Sequence, residues 1–337
     1  MIRRDEVETK MSIPENTSRN DGDDVRDFRV TMMYHPSHHV PDLDEAEAWF
    51  EGVFGRSSTR LASISRGAPP RPGYPNDYST FTSISDVLFD MIDPARYVLL
   101  GMQRYATVEQ PRLKAFGWYI EGIAEVYRQL KHQGIRVTSQ LDELADTDDP
   151  PTAAGSSMPL YFSLPEDAGL RYEFFPAIPF PLDPRVAPSW TLPAVSNEDP
   201  LGIERCSHHT VLTGDPGRAL RLVVDVLGGN IVHEGRDELR GTTGAYVDLA
   251  GSILEYAVPD VGTRAYSDWA KDDPNDTYHS ITWKVADLER AERHLHSRGV
   301  GIEMRSADTI VTDPDTSLGI PWGFTSKLTP GDPRSND

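Results

Sequence analysis

The sequence predicts an α+β protein made of four βαβββ modules, paired into two domains with curled sheets. Three observations predict it. A pattern of strand, amphipathic helix, glycine stop and further strands recurs four times along the 337 residues. Pro176–Pro200, with seven prolines, divides the first two copies from the last two as a stiff linker would. The length also suits two domains, each with its own core.

The elements can be justified in chain order. Met1–Val25 is polar and without hydrophobic period, so it reads as disordered or loosely attached. The first module begins at Phe28, breaks at Pro41-Asp42, and continues as a helix that Asp42 caps and Glu45 and Glu47 favour at its positive end. After a loop rich in Pro and Gly (Gly67–Asp77), Ser79–Ser83 and Val87–Ile92 read as strands. The second module has a strand at Ala115–Ile120, a helix at Ile123–Gln133 stopped by Gly134, and a last strand in GLRYEFFP that carries Glu173.

The third module is the sharpest. Ser207–Thr213 alternates as a strand, Gly217–Leu227 continues as an amphipathic helix, and Gly228-Gly229 stops it. Asn230–His233, Gly244–Leu249 and Ser252–Ala257 follow as strands, with a charged loop at Glu234–Arg240 and an Ala-Gly turn. The fourth module starts at YHSITWKVADLERAERHL. The resulting division is a loose N-terminus (1–27), an N-terminal domain (28–180), a linker (181–202), a C-terminal domain (203–328) and a loose polar tail (329–337).

Composition narrows the function classes. Hydrophobic residues make up 38% and charged residues 26%, as in an ordinary globular protein. With 33 Lys and Arg against 53 Asp and Glu the formal charge is −20, which repels phosphate backbones and anionic membranes, so neither nucleic acid nor membrane is an expected partner. The absence of an apolar run of about 18 residues, and of an apolar core near the N-terminus, makes a cytoplasmic location the expectation. A single cysteine, Cys206, provides neither a disulfide nor a thiolate cluster. Any metal would have to be held by histidine and carboxylate.

The segments HHVPDLDEAEAWFEGVFG, HHTVLTGDPGRALRLVVDVLGG with LEYAVP, WYIEGIAEVYRQL and WKVADLERAERHL resemble the vicinal-oxygen-chelate superfamily, which includes glyoxalase I, methylmalonyl-CoA epimerase, drug-resistance proteins and extradiol dioxygenases. The resemblance covers roughly Phe28 to Ser326. It implies glyoxalase-like domains in which two modules form one cup, with metal ligands on the first and last strand of each module. In the C-terminal cup it points to His208, seven residues before Asp215, and to Glu255 and His279 as metal ligands. His279 stands eight residues before Asp287, which requires a bulge or a one-residue slip. Gly323 stands where the last ligand belongs, and Glu255 is the candidate to replace it. Tyr246, His233 and Tyr256 are the acid–base candidates beside this cup.

In the N-terminal cup the matching positions are His35, Asp90, Lys114 or Ala115, and Glu173. Because lysine is a poor metal ligand, this cup is expected to be degenerate and structural, with His38 and His39 as packing residues. The implied activity is a metal-dependent, extradiol-type ring-cleaving dioxygenase acting on a small vicinal diol or enediol. Fe(II) is the expected metal, with Zn, Mn and Ni as alternatives. A glyoxalase- or epimerase-like lyase or isomerase is the second reading, and a non-catalytic small-molecule binder the third. The expected partner is a small-molecule substrate, with assembly into a homo-oligomer left open.

Overall fold

The structure is a computed structural model that describes residues 27–66, 71–177 and 183–336. The expectation of a disordered start at Met1–Val25 lies outside the described residues. In the first half the strands are β1 (Arg29–His39), β2 (Ser58–Arg60), β3 (Ser79–Ile84), β4 (Val87–Ile92), a small hairpin of β5 (Val98–Leu99) and β6 (Met102–Gln103), β7 (Arg112–Glu121), β8 (Val137–Thr138), β9 (Tyr161–Ser163) and β10 (Glu173–Pro176). The second half has β11 (Ile203–Leu212), β12 (Asn230–Asp237), β13 (Thr242–Leu249), β14 (Ser252–Pro259), β15 (Thr277–Val285), β16 (Ile302–Arg305), β17 (Thr309–Thr312) and β18 (Gly323–Thr325).

These strands form two eight-stranded sheets with the same plan. The first runs β2-β3-β4-β1-β7-β10-β9-β8 and the second β12-β13-β14-β11-β15-β18-β17-β16. In each, two modules join through their first strands, which pair antiparallel (β1 with β7, β11 with β15), while each first strand pairs parallel with the last strand of its own module. Four βαβββ modules in two pairs is the architecture the sequence predicts.

Local chemistry sets the helices. Leu43–Phe54 starts where Asp42 accepts hydrogen bonds from the Asp44 and Glu45 amides, and stops at Gly55, whose φ of 65° suits glycine. It buries Leu43, Ala46, Phe50, Val53 and Phe54. The helix expected over Gly217–Leu227 changes character: it is α over Pro216–Leu220 and widens into a π turn over Arg221–Val226, keeping Leu222, Val223 and Val226 buried.

The halves share one core. Phe54 of the first helix meets Trp322 at 5.1 Å, Trp283 at 6.1 Å and Phe324 at 6.4 Å between ring centroids, so the first module packs on the last. Tyr172 and Tyr256 meet hydroxyl to hydroxyl at 3.0 Å in the same interior. Trp283, Trp322 and Phe324 are therefore core residues and not the wall of a pocket. The proline-rich stretch, expected as a stiff linker, is tied to the first sheet by Arg185, whose side chain is 8% exposed, pairs with Asp183 and donates to the carbonyls of Tyr34 and Asp86. The tail, expected to be loose, packs down as well: Thr329 and Asp332 are buried, and Arg334 donates to the Ser207 carbonyl at 2.8 Å.

Candidate active site in the N-terminal cup

Strand register decides which side chains enter each cup. Within the modules, Ser37 pairs with Asp90, Gly117 with Glu173, Thr210 with Glu255 and Thr282 with Gly323. Two residues earlier on each first strand, on the same face, stand His35, Ala115, His208 and Ser280. The equivalent quartets are thus His35, Asp90, Ala115 and Glu173 in one cup, and His208, Glu255, Ser280 and Gly323 in the other.

In the first cup, His35 Nε2 lies 3.7 Å from Glu173 Oε2 and 3.9 Å from Asp90 Oδ2. Burial pushes the imidazole down to about 3, so His35 is neutral at physiological pH and these contacts are not ion pairs. Its Nδ1 faces Ser37 Oγ at 3.4 Å, leaving Nε2 toward the carboxylates. Burial raises both acids: Glu173 to about 7, and Asp90, with Glu173 also acting on it, well above the ordinary range. Asp90 Oδ1 is buried without a hydrogen-bond partner. A cavity of about 420 Å³ opens over this trio, walled largely by aromatic side chains that include Tyr34, Tyr74, Tyr78, Phe81, Tyr97, Tyr105, Phe162 and Phe175.

Among the described residues, no group of three or more histidine, cysteine, aspartate or glutamate side chains is arranged to hold a metal ion as the side chains stand. Yet two donors each bound about 2.1 Å from one ion at an angle near 120° are about 3.6 Å apart, close to the separations here. A neutral imidazole, the buried Asp90 carboxylate and the partly exposed Glu173 carboxylate, on which the Arg171 charge acts, form a candidate donor set. Ala115 supplies no donor, so one side of the quartet stays open.

The linkage sign follows from the acids. Glu173 rises from 4.5 unfolded to about 7 folded, so its protonated form stabilises the fold below pH 4.5 and that contribution is lost as pH rises through 7. Metal-free protein should accordingly lose a few degrees of Tm between those limits, and Glu173→Gln should flatten the profile; an unchanged slope in the variant would place the titration elsewhere. Cation binding near pH 6 should release about one proton, measurable by calorimetry in two buffers.

The second cup is filled differently. His208 Nε2 faces Glu255 Oε2 at 3.8 Å, as their paired strands require, but Glu255 is already satisfied by Thr210 Oγ1 at 2.6 Å and the Tyr246 hydroxyl at 2.8 Å. His279 does not join them: the strand is bulged at this residue, between the Thr210–Ser280 and Val211–Tyr278 pairs, and its Nε2 meets Asp268 Oδ2 at 3.5 Å. The guanidinium of buried Arg240 occupies the remaining room, bonded to Asp237 at 3.0 Å and Thr282 Oγ1 at 3.1 Å. A Cβ on Gly323 would lie 2.8 Å from that guanidinium and 2.3 Å from Thr282 Oγ1. The cation is built into the chain here. Space around Arg240 and His279 amounts to about 10 Å³.

The other candidates separate likewise. Tyr246 touches Glu255, and His233 lies beside the Tyr246 ring with centroids 5.6 Å apart. Tyr256 points into the interdomain core and is not at this cup. His209, of opposite parity to His208, reaches Cys206 and the Tyr278 hydroxyl. His38 bonds the Leu318 carbonyl at 3.1 Å and His39 packs on Tyr105, so both are packing residues. Sequence reasoning missed Arg240, which reads as the end of a charged surface loop, and Gln140, whose buried amide no spacing announces.

Comparison with solved structures shows what the fold is similar to. The chain is similar to a mutant of 4-hydroxymandelate synthase from Streptomyces coelicolor (12% identity, TM-score 0.56, 91% of this chain and 96% of that one). It is similar to the Mn(II)-bound glyoxalase from Novosphingobium aromaticivorans (12%, 0.55, 90% and 85%) and to the 2,3-dioxygenase LapB from Pseudomonas sp. KL28 (13%, 0.53, 89% and 93%). This likeness is one of fold: a two-domain arrangement of four βαβββ modules is shared with these structures. No protein-family model matches the sequence, and no curated protein matches it significantly. No helix among the described residues is long and apolar enough to cross a membrane.

Proposed function

We propose that the N-terminal cup is the active site of a metal-dependent enzyme that moves a proton on a small molecule bearing two adjacent oxygens, a lyase- or isomerase-like reaction. One observation carries this reading: the buried His35 and Asp90 and the partly exposed Glu173 converge on the 420 Å³ cavity, whereas Arg240 fills the equivalent space in the other cup. One nitrogen and two carboxylate donors favour Mn(II) or Fe(II), with Zn(II) and Ni(II) as competitors. A bound ion would polarise a substrate oxygen and lower the acidity barrier at the adjacent carbon.

The chain's own residues supply the rest. Of the two acids Glu173 is the more exposed, and its carboxylate oxygen facing the cavity would take the proton and return it to the product. His35 stays neutral and keeps its Nε2 lone pair available. The apolar wall excludes water and strengthens these interactions.

A second reading, ring cleavage of an aromatic diol by an iron-dependent dioxygenase, is favoured by the aromatic wall, which suits a flat ring. Metal analysis of anaerobically purified protein, followed by an oxygen electrode with catechols and deuterium exchange with α-hydroxyketones, separates the two. About one metal per chain with solvent exchange and no oxygen uptake is the expected result. Oxygen consumption with catechols would replace the first reading by the second. Absence of metal binding at any tested concentration would remove both and leave a metal-free binder.

A further inference from the structure

A second polar group lies in the same cavity. Gln140, buried, donates from Nε2 to the Tyr74 hydroxyl at 3.1 Å and the Tyr97 hydroxyl at 2.9 Å, while its Oε1 accepts from the Ala154 amide at 3.0 Å. That last bond fixes which end of the amide is nitrogen. Each phenol oxygen therefore already accepts a bond from Gln140, and Tyr97 and Tyr78 in turn bond to Tyr74, so the Tyr74 O–H is the one left to donate into the cavity. Tyr97 is held in place by Tyr78, whose ring stacks on it at 3.9 Å and 3°. Burial raises the Tyr78 and Tyr97 phenols well above their ordinary range, so both keep their protons. At the exposed side of the cavity the Arg71 guanidinium lies 4.1 Å over the Tyr74 ring.

We propose that Tyr74, held by Gln140 and Tyr97, and Arg71 form a subsite for a carboxylate on the molecule that the N-terminal cup takes. A hydroxyl donor and a guanidinium recognise an anionic oxygen through charge-assisted hydrogen bonds and disfavour an ammonium. The apolar wall between them and the acidic trio, with Phe81, Phe162 and Phe175, suits an aromatic or aliphatic body. The substrate class is thus an apolar carboxylic acid whose adjacent oxygens face His35, Asp90 and Glu173. This assignment rests on reading the N-terminal cup as the substrate site.

The test is calorimetry on the full chain with three probes of one shape: phenylacetate, phenylacetamide and 2-phenylethylammonium. Phenylacetate should bind at least about tenfold more tightly than the amide. Arg71→Met and Tyr97→Phe should each erode that preference, with an unchanged circular-dichroism spectrum and Tm showing that the variants are folded. Equal binding of acid and amide, preference for the ammonium, or no binding by any probe would overturn the proposal. Cobalt(II) titration of the same samples keeps the two ideas apart. Carboxylate preference without cobalt binding removes the metal site and leaves the subsite, and cobalt binding without the preference does the reverse.

Discussion

His35→Ala should lower divalent-metal affinity by at least about a hundredfold and take any metal-dependent turnover to background. The variant loses the only nitrogen donor of the trio and leaves Asp90 and Glu173 facing each other without a neutral neighbour. The fold should survive, because His35 lines a cavity and does not fill a core gap. His208→Ala is the matched control: the equivalent imidazole of the other cup faces a carboxylate already hydrogen-bonded by Thr210 and Tyr246. Metal content by plasma mass spectrometry on both variants decides the matter. Stoichiometric metal retained in His35→Ala and lost in His208→Ala would move the active cup to the C-terminal domain.

Arg240→Ala should be the most destabilising single change in the second cup, at about 3–5 kcal/mol in denaturant unfolding. The guanidinium side chain is 4% exposed and Asp237 18%, so truncation leaves a largely buried carboxylate without its cation. It also empties the space against Gly323 and leaves the His208–Glu255 pair without the positive charge beside it. A second, weaker metal equivalent should then appear, and disappear again in the double variant with His208→Ala. A loss below about 1 kcal/mol with no new metal equivalent would mean that Arg240 neither holds the cup together nor takes the place of an ion there.

How much of this was legible beforehand differs by level. His35, Asp90 and Glu173 were visible as positions, since each falls at the place its module assigns. Their rank was not. A histidine seven residues before a capping aspartate occurs in both halves, at His35 and His208, so spacing alone cannot choose between cups. The choice was made by groups distant in sequence: Arg240 reaches back from the end of β12 to fill one cup, while residues as far apart as Tyr34 and Phe175 wall an open space over the other. His279 illustrates the same limit. Its chemistry suits a ligand, but it sits on a β-bulge and meets Asp268, and where a bulged side chain goes is invisible until the strands are paired.

The sequence by itself determined the module plan, the number of repeats and the helix caps at Asp42, Asp215 and Asp287, because these follow from periodicity and local hydrogen bonding over a few residues, whereas the residues expected in each cup came from the family resemblance. Only the tertiary structure decided which cup stays open, where Arg240 puts its charge, how far burial shifts His35 and Glu173, and that Gln140 orders two phenols in the cavity. Those properties depend on desolvation and on contacts between residues tens to hundreds of positions apart, which no local pattern records.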